Sequence, residues 1–194
     1  MTLFILDWDN TLLPTYHLKK SSLQTILKPE DQKQLSQFES QLLEVFDAIL
    51  LLGRVYIVTN AQEGWVAYCV KMFLPRIEPL LTRITVISAR SQYENTSNSE
   101  WQWKSHTFQD ILSEETLLHQ VIGMGDSPED MQAWKFTFRN QTWPNKFIQT
   151  RVNPTIKELE AELCCFLEML PFLMDHPTNA IFSLDLTSTA EKGK

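Results

Sequence analysis

Two aspartates, two residues apart, follow the first apolar run of this chain. Leu3–Leu6 leads directly into Asp7-Trp8-Asp9-Asn10-Thr11. Carboxylates at a strand end are costly to bury unless something offsets their charge. A divalent cation with oxygen ligands would stabilise the pair. The same residues also fit a plain loop of Asx turns ending at Asn10-Thr11. A second acidic group, Gly123-Met124-Gly125-Asp126-Ser127-Pro128-Glu129-Asp130, follows another apolar run. It puts Asp126 at the strand end and Asp130 in the first turn of the next helix, near enough to share a cation's water shell. Gly-Asp-Ser-Pro also reads as a turn and helix cap, which explains Ser127 and Pro128 but leaves Asp126 without a role. Val58-Thr59-Asn60 ends a third run. Its hydroxyl and free backbone N–H groups can hold an anionic oxygen, although a bland turn has the same composition. Lys104 precedes a later run and is a candidate to reach the same place; a lone lysine is otherwise a solvated surface residue.

Positioning these groups together requires strands that end side by side. Leu3–Leu6, Val55–Val58, Ile84–Ile87 and Val121–Met124 read as short buried parallel strands, with Phe147–Val152 as a more mixed fifth. Helical patterns lie between them. Pro29–Leu52 starts with Glu30 and Asp31, favourable at the positive end of a helix dipole. Its apolar residues recur at three- and four-residue steps, and Gly53 ends it. Gln62–Leu74 reads as a second helix stopped by Pro75, and Glu100–Leu112 as a third. Pro128–Phe138 follows Ser127 as N-cap, and Asn153-Pro154 opens a final helix to about Phe172. Strands alternating with helices predict an α/β fold, a doubly wound parallel sheet of about five strands. Ligands in such sheets bind beyond the carboxyl ends of the strands. Ser91–Glu100 reads as a polar loop and Asp175–Lys194 as a weakly ordered tail.

The 194 residues carry a net charge of −7, with 43% hydrophobic and 21% charged residues, which predicts one soluble globular domain. The absence of a basic run argues against a nucleic-acid partner. Three cysteines, Cys69, Cys164 and Cys165, have no metal-ligand spacing and fit a reducing, cytoplasmic compartment. The first residues meet acid at Asp7 and do not read as a signal peptide. Ala161–Met174 is too short and too polar to span a membrane. His106 and His119 read as structural or surface residues, and Trp101, Trp103, Trp134 and Trp143 as core or rim packing.

The order of the groups is more specific than any one of them. Asp-x-Asp-x-Thr after the first strand, Thr59 after the second, Lys104 on a later helix and Gly-Asp-x-x-x-Asp after the fourth strand resembles the haloacid dehalogenase-like superfamily, over residues 3–130. The resemblance implies a phosphatase domain over 1–175; the polar residues 176–194 read as a tail or as a linker to a further C-terminal domain. It implies a magnesium-dependent phosphohydrolase that works through an aspartyl-phosphate. Asp7 would be the nucleophile. Asp9 would be the general acid and then the base. Mg²⁺ would be held by the Asp7 carboxylate, the Asp9 backbone carbonyl and Asp126, with Asp130 orienting metal-bound waters. Thr59 and Lys104 would hold the phosphoryl oxygens, assisted by backbone N–H groups of Trp8, Asp9 and Asn60. Asp9 is informative, because family members that pass phosphate to water usually carry it and the dehalogenases do not.

Family members often carry a large cap domain, for which the segments Leu12–Gly53 and Ala61–Trp103 leave no room. A capless site is open, which favours a phosphorylated protein side chain, phosphotyrosine first. Some capless relatives are protein tyrosine phosphatases, including bacterial effectors that act in the host cytosol. The segment Leu12–Lys20 would then overhang the nucleophile as a flap, with Tyr16 and His17 at the leaving group. A plain surface hairpin explains that segment equally well. A phosphatase of small phosphate esters, shielded by a homodimer partner, is one alternative. A non-catalytic phospho-binding or scaffolding module on the same fold is another.

Overall fold

The computed structural model describes residues 1–21 and 29–184. Six strands form one fully parallel sheet: β1 (Thr2–Leu6), β2 (Gly53–Thr59), β3 (Thr85–Ser88), β4 (Gln120–Gly125), β5 (Asn145–Gln149) and β6 (Ala180–Ser183). Their order is β3-β2-β1-β4-β5-β6. The helices are α1 (Thr15–Ser21), α2 (Pro29–Leu52), α3 (Trp65–Phe73), α4 (Ala89–Tyr93), α5 (Glu100–Glu114), α6 (Pro128–Phe138) and α7 (Ile156–Asp175), with a 3₁₀ helix at Pro75–Thr82.

The central strand explains the layering. Successive side chains of a strand point to opposite faces. Phe4, Leu6 and Trp8 pack into one core with residues of α1, α2, α3 and α7. Leu3 and Ile5 pack into the other with residues of α4, α5 and α6. Helices therefore cover both faces, the doubly wound arrangement. β1 lies between β2 and β4, and the chain runs outward from it in opposite directions. That is the topological switch point, where two connections diverge and leave a crevice at the carboxyl ends of the strands.

Several expectations need correction. The sheet has six strands rather than about five. Ala180–Ser183, read as part of the tail, pairs with β5 in parallel register; residues 185–194 lie outside the described residues. β3 is an edge strand, and its Val86 is exposed rather than buried. A short apolar run looks alike in the centre and at the edge of a sheet. α7 starts at Ile156 with Thr155 as its N-cap, in a capping box with Glu158. Asn153 instead takes a left-handed backbone, φ 55°. Residues 91–93 of the expected polar loop belong to α4, which Ser88 caps. The flap is no flap: Leu12, Leu13 and Leu18 are buried in the core and α1 runs through Tyr16 and His17. Residues 22–28, within the segment Leu12–Gly53, lie outside the described residues. Among the described residues, no separate cap domain stands between the motifs. Also among them, no helix is long and apolar enough to cross a membrane.

Candidate functional site

Asp7 follows β1, Thr59 ends β2, and Asp126 follows β4. These three strands are neighbours, so their carboxyl ends bring the three side chains to one crevice. Asp7 is 8% exposed, Asp126 7% and Thr59 2%. Lys104 enters from the first turns of α5, and its ammonium is buried between Asp7 Oδ1, at 2.5 Å, and Asp130 Oδ1. The ligand oxygens of Asp7, Asp126 and Asp130 all lie within 4.8 Å of one another.

Local sequence explains why Asp130 arrives there. Ser127 caps α6: its Oγ accepts from the Asp130 N–H at 3.1 Å, and Asp130 Oδ2 accepts from the Ser127 N–H at 3.2 Å. The capping box leaves Oδ1 for Lys104. Gly125 lets this happen. A Cβ on residue 125 would sit 2.7 Å from Asp130 Oδ2, closer than real contacts allow. The cap reading of this stretch therefore holds, and the Asp130 side chain that completes the cap also reaches the acidic cluster.

The cluster holds three carboxylates and one ammonium. Burial pushes the Asp7 carboxyl well above the ordinary carboxylate range; Lys104 opposes the shift, and Asp130 and Asp126 add to it. Burial, reinforced by Asp130, pushes Asp126 up to about 7, against the pull of Lys104 and a hydrogen bond from Asn10. Burial by itself would lower Lys104, but Asp130 and Asp7 outweigh it and hold the ammonium above its usual value. The two acids are raised first by burial and then by one another, and Lys104 is raised by them. With all three acids ionised, two negative charges remain after Lys104, which one divalent cation would neutralise. Carboxylate oxygens are the donors that Mg²⁺ prefers, so the residues present fit that ion.

Asp9 is turned differently. Its Oδ1 accepts from Thr15 Oγ1 at 2.7 Å and from Trp65 Nε1 at 3.0 Å, and its Oδ2 accepts from Thr59 Oγ1 at 3.4 Å. Its carboxylate is thus outside the three-acid cluster, as expected if only its carbonyl served an ion. Thr59 Oγ1 also accepts from the Ala61 N–H at 3.0 Å. The Trp8 indole is fully buried in the core, so only its backbone can serve the site.

The crevice encloses about 730 Å³ and is lined by Asp7, Asp9, Thr59, Asn60, Lys104, Asp126 and Asp130, all expected from sequence. Tyr16 and His17 do not line it. Tyr16 is half exposed, with its N–H donating to Asn10 Oδ1, and His17 Nε2 lies 3.5 Å from Asp31 Oδ1 on α2. Both side chains lie off the crevice, although Lys19 of the same helix reaches it. Sequence reasoning missed Trp65, Lys19 and Arg90, which also line the crevice. The signal for Trp65 in the sequence is Gly64 before it, a helix start close after the strand-end residues Thr59-Asn60.

No family model, no curated protein and no solved structure matches this chain. The chemistry of the crevice therefore has to carry the functional reading.

Proposed function

We propose that this protein is a Mg²⁺-dependent phosphohydrolase of the haloacid dehalogenase-like type, with Asp7 as its nucleophile. One observation carries the reading: a buried cluster of three carboxylates with a single ammonium, at the switch point of a parallel sheet. A purely structural cluster has no reason to keep two uncompensated charges out of water. A site for a cation and a phosphoryl dianion does.

In this mechanism a carboxylate oxygen of Asp7 forms a bond to phosphorus while the ester P–O bond breaks. Asp9 gives its proton to the departing oxygen. In the second half Asp9 takes a proton from water, the water oxygen bonds to phosphorus, and Asp7 is released with inorganic phosphate. Lys104 offsets charge on Asp7 and the phosphoryl oxygens, and the Thr59 hydroxyl donates to one of those oxygens. Asp7 and Asp126, with the Asp9 carbonyl, would hold Mg²⁺, and Asp130 would orient its waters; the ion would supply the remaining positive charge.

The substrate class we favour is a phosphorylated protein side chain, phosphotyrosine before the others. What supports it is the open crevice, with no separate cap domain among the described residues. Phosphate release from a panel of phosphopeptides and small phosphate esters, with and without Mg²⁺, tests the reading. Release that needs Mg²⁺ and disappears in Asp7→Asn is the expected result. Activity that survives Asp7→Asn rules out the nucleophile. A sugar or nucleotide phosphate preferred by a wide margin rules out the protein substrate.

A further inference from the structure

We propose that Trp65 is a positioning residue for Asp9, and that its indole N–H fixes which carboxylate oxygen serves the leaving group. The inference rests on the phosphohydrolase reading above. Asp9 Oδ1 is held by two donors from two elements, Thr15 Oγ1 at the start of α1 and Trp65 Nε1 at the start of α3. A carboxylate oxygen that accepts two hydrogen bonds has little capacity left for a proton. Oδ2 accepts only one long bond, from Thr59 Oγ1 at 3.4 Å, and is the oxygen with capacity left for transfer. Donors on separate helices also stop the carboxylate from pivoting, which a single donor cannot do.

Trp65 is itself built into place. Gly64 precedes it with φ +84°, a left-handed backbone that side-chain-bearing residues rarely adopt. That turn directs the first residue of α3 back over the crevice. The Trp65 N–H donates to the Gln62 carbonyl at 3.1 Å, and the ring stacks on Tyr68 with centroids 5.8 Å apart. Lys19 Nζ lies 5.7 Å from the ring centroid. A cation over the ring face draws electron density from the indole and makes its N–H a better donor. The α1 and α3 starts thus meet over Asp9 and hold its geometry, a task that a cap domain would otherwise share.

A buried or half-buried indole N–H usually finds some acceptor, whatever its function. The two roles separate by leaving group. A good leaving group departs as an anion without needing a proton, whereas a poor one depends on general-acid help. Trp65→Phe keeps an aromatic ring and removes the donor. With an alkyl phosphate, kcat/KM should fall by about tenfold or more; with p-nitrophenyl phosphate it should fall by less than about threefold. Trp65→His, which retains a ring N–H, should recover part of the alkyl phosphate rate. If Trp65→Phe does not fold, benzothienylalanine at residue 65 keeps the shape of the indole without its N–H and gives the same readout. Equal losses on both esters, or no loss on either, overturn the role of Trp65 while leaving the nucleophile standing. No phosphate release by the wild-type protein overturns the phosphohydrolase reading and this role together.

Discussion

Helix α5 joins two buried polar clusters at opposite ends of the sheet, and they are built on opposite principles. At its start, Lys104 pairs with Asp7 and Asp130, and Asp126 lies beside those two acids. Just past its end, Glu115 accepts from Arg54 Nη1 at 2.8 Å and from Tyr56 Oη at 3.0 Å. The lower cluster is balanced: one carboxylate, one guanidinium and one phenol, with Arg54 largely open to water. Its hydrogen bond to Glu115 raises the Arg54 pKa, which holds the charged form. The upper cluster has three acids for one base, and two of the acids are pushed toward protonation. Both hold buried carboxylates that are hydrogen-bonded, so a buried acid alone does not separate the two; their charge balance does.

The sharpest way to break this comparison is to neutralise one acid in each cluster. Asp7→Asn should lower phosphate release by about a thousandfold or more. It should also raise the melting temperature of the metal-free protein, because it relieves repulsion among the acids. A lower melting temperature would mean that the upper cluster is a strut after all. Removing its one base comes next. Lys104→Met should cost about 3–5 kcal/mol without metal, since it leaves buried acids unpaired. Mg²⁺ should return a large part of that, seen as a shift in thermal melts. Glu115→Gln at the lower end should cost about 1–3 kcal/mol and leave phosphate release unchanged, whether Mg²⁺ is present or not.

The smallest effect sharpens the comparison through pH. Glu162 on α7 is fully buried and accepts from the Arg151 N–H, outside both clusters. Burial pushes its carboxyl up to about 7, partly opposed by that hydrogen bond. A raised folded-state value means that the folded protein binds the proton more tightly than the unfolded chain. Its contribution to stability is full below the ordinary glutamate range and is lost as pH rises through about 7. Glu162→Gln should flatten that part of the stability profile of the metal-free protein, measured by melts between pH 5 and 8. An unchanged profile would assign the slope to other groups.

Much of the molecule was legible beforehand because it depends on local patterns. The α2 and α6 boundaries agree with the apolar period and the Ser127-Pro128 cap. Asp7, Thr59 and Asp126 were legible as strand-end residues, since an apolar run followed by a polar residue marks where a buried strand meets solvent. β6 was not, because Ala180-Ile181-Phe182 is only three apolar residues long and lies half exposed on the sheet edge, within a polar stretch. Tyr16 and His17 were misplaced for a related reason. Leu12-Leu13-Pro14 gives no sign of whether a hairpin or a helix follows, and burial of Leu12, Leu13 and Leu18 decided for the helix.

By itself, the sequence determined the alternation of strands and helices, the acids at the strand ends and the cap that begins α6. Each depends on a few neighbouring residues and their backbone preferences. Only the tertiary structure decided that Lys104 bridges Asp7 and Asp130, 97 and 26 residues away, and that Trp65 holds Asp9 across 56 residues. Those contacts follow from which strands are neighbours and how the two cores pack against β1. A short-range pattern carries no record of either, because many strand orders bury the same apolar faces.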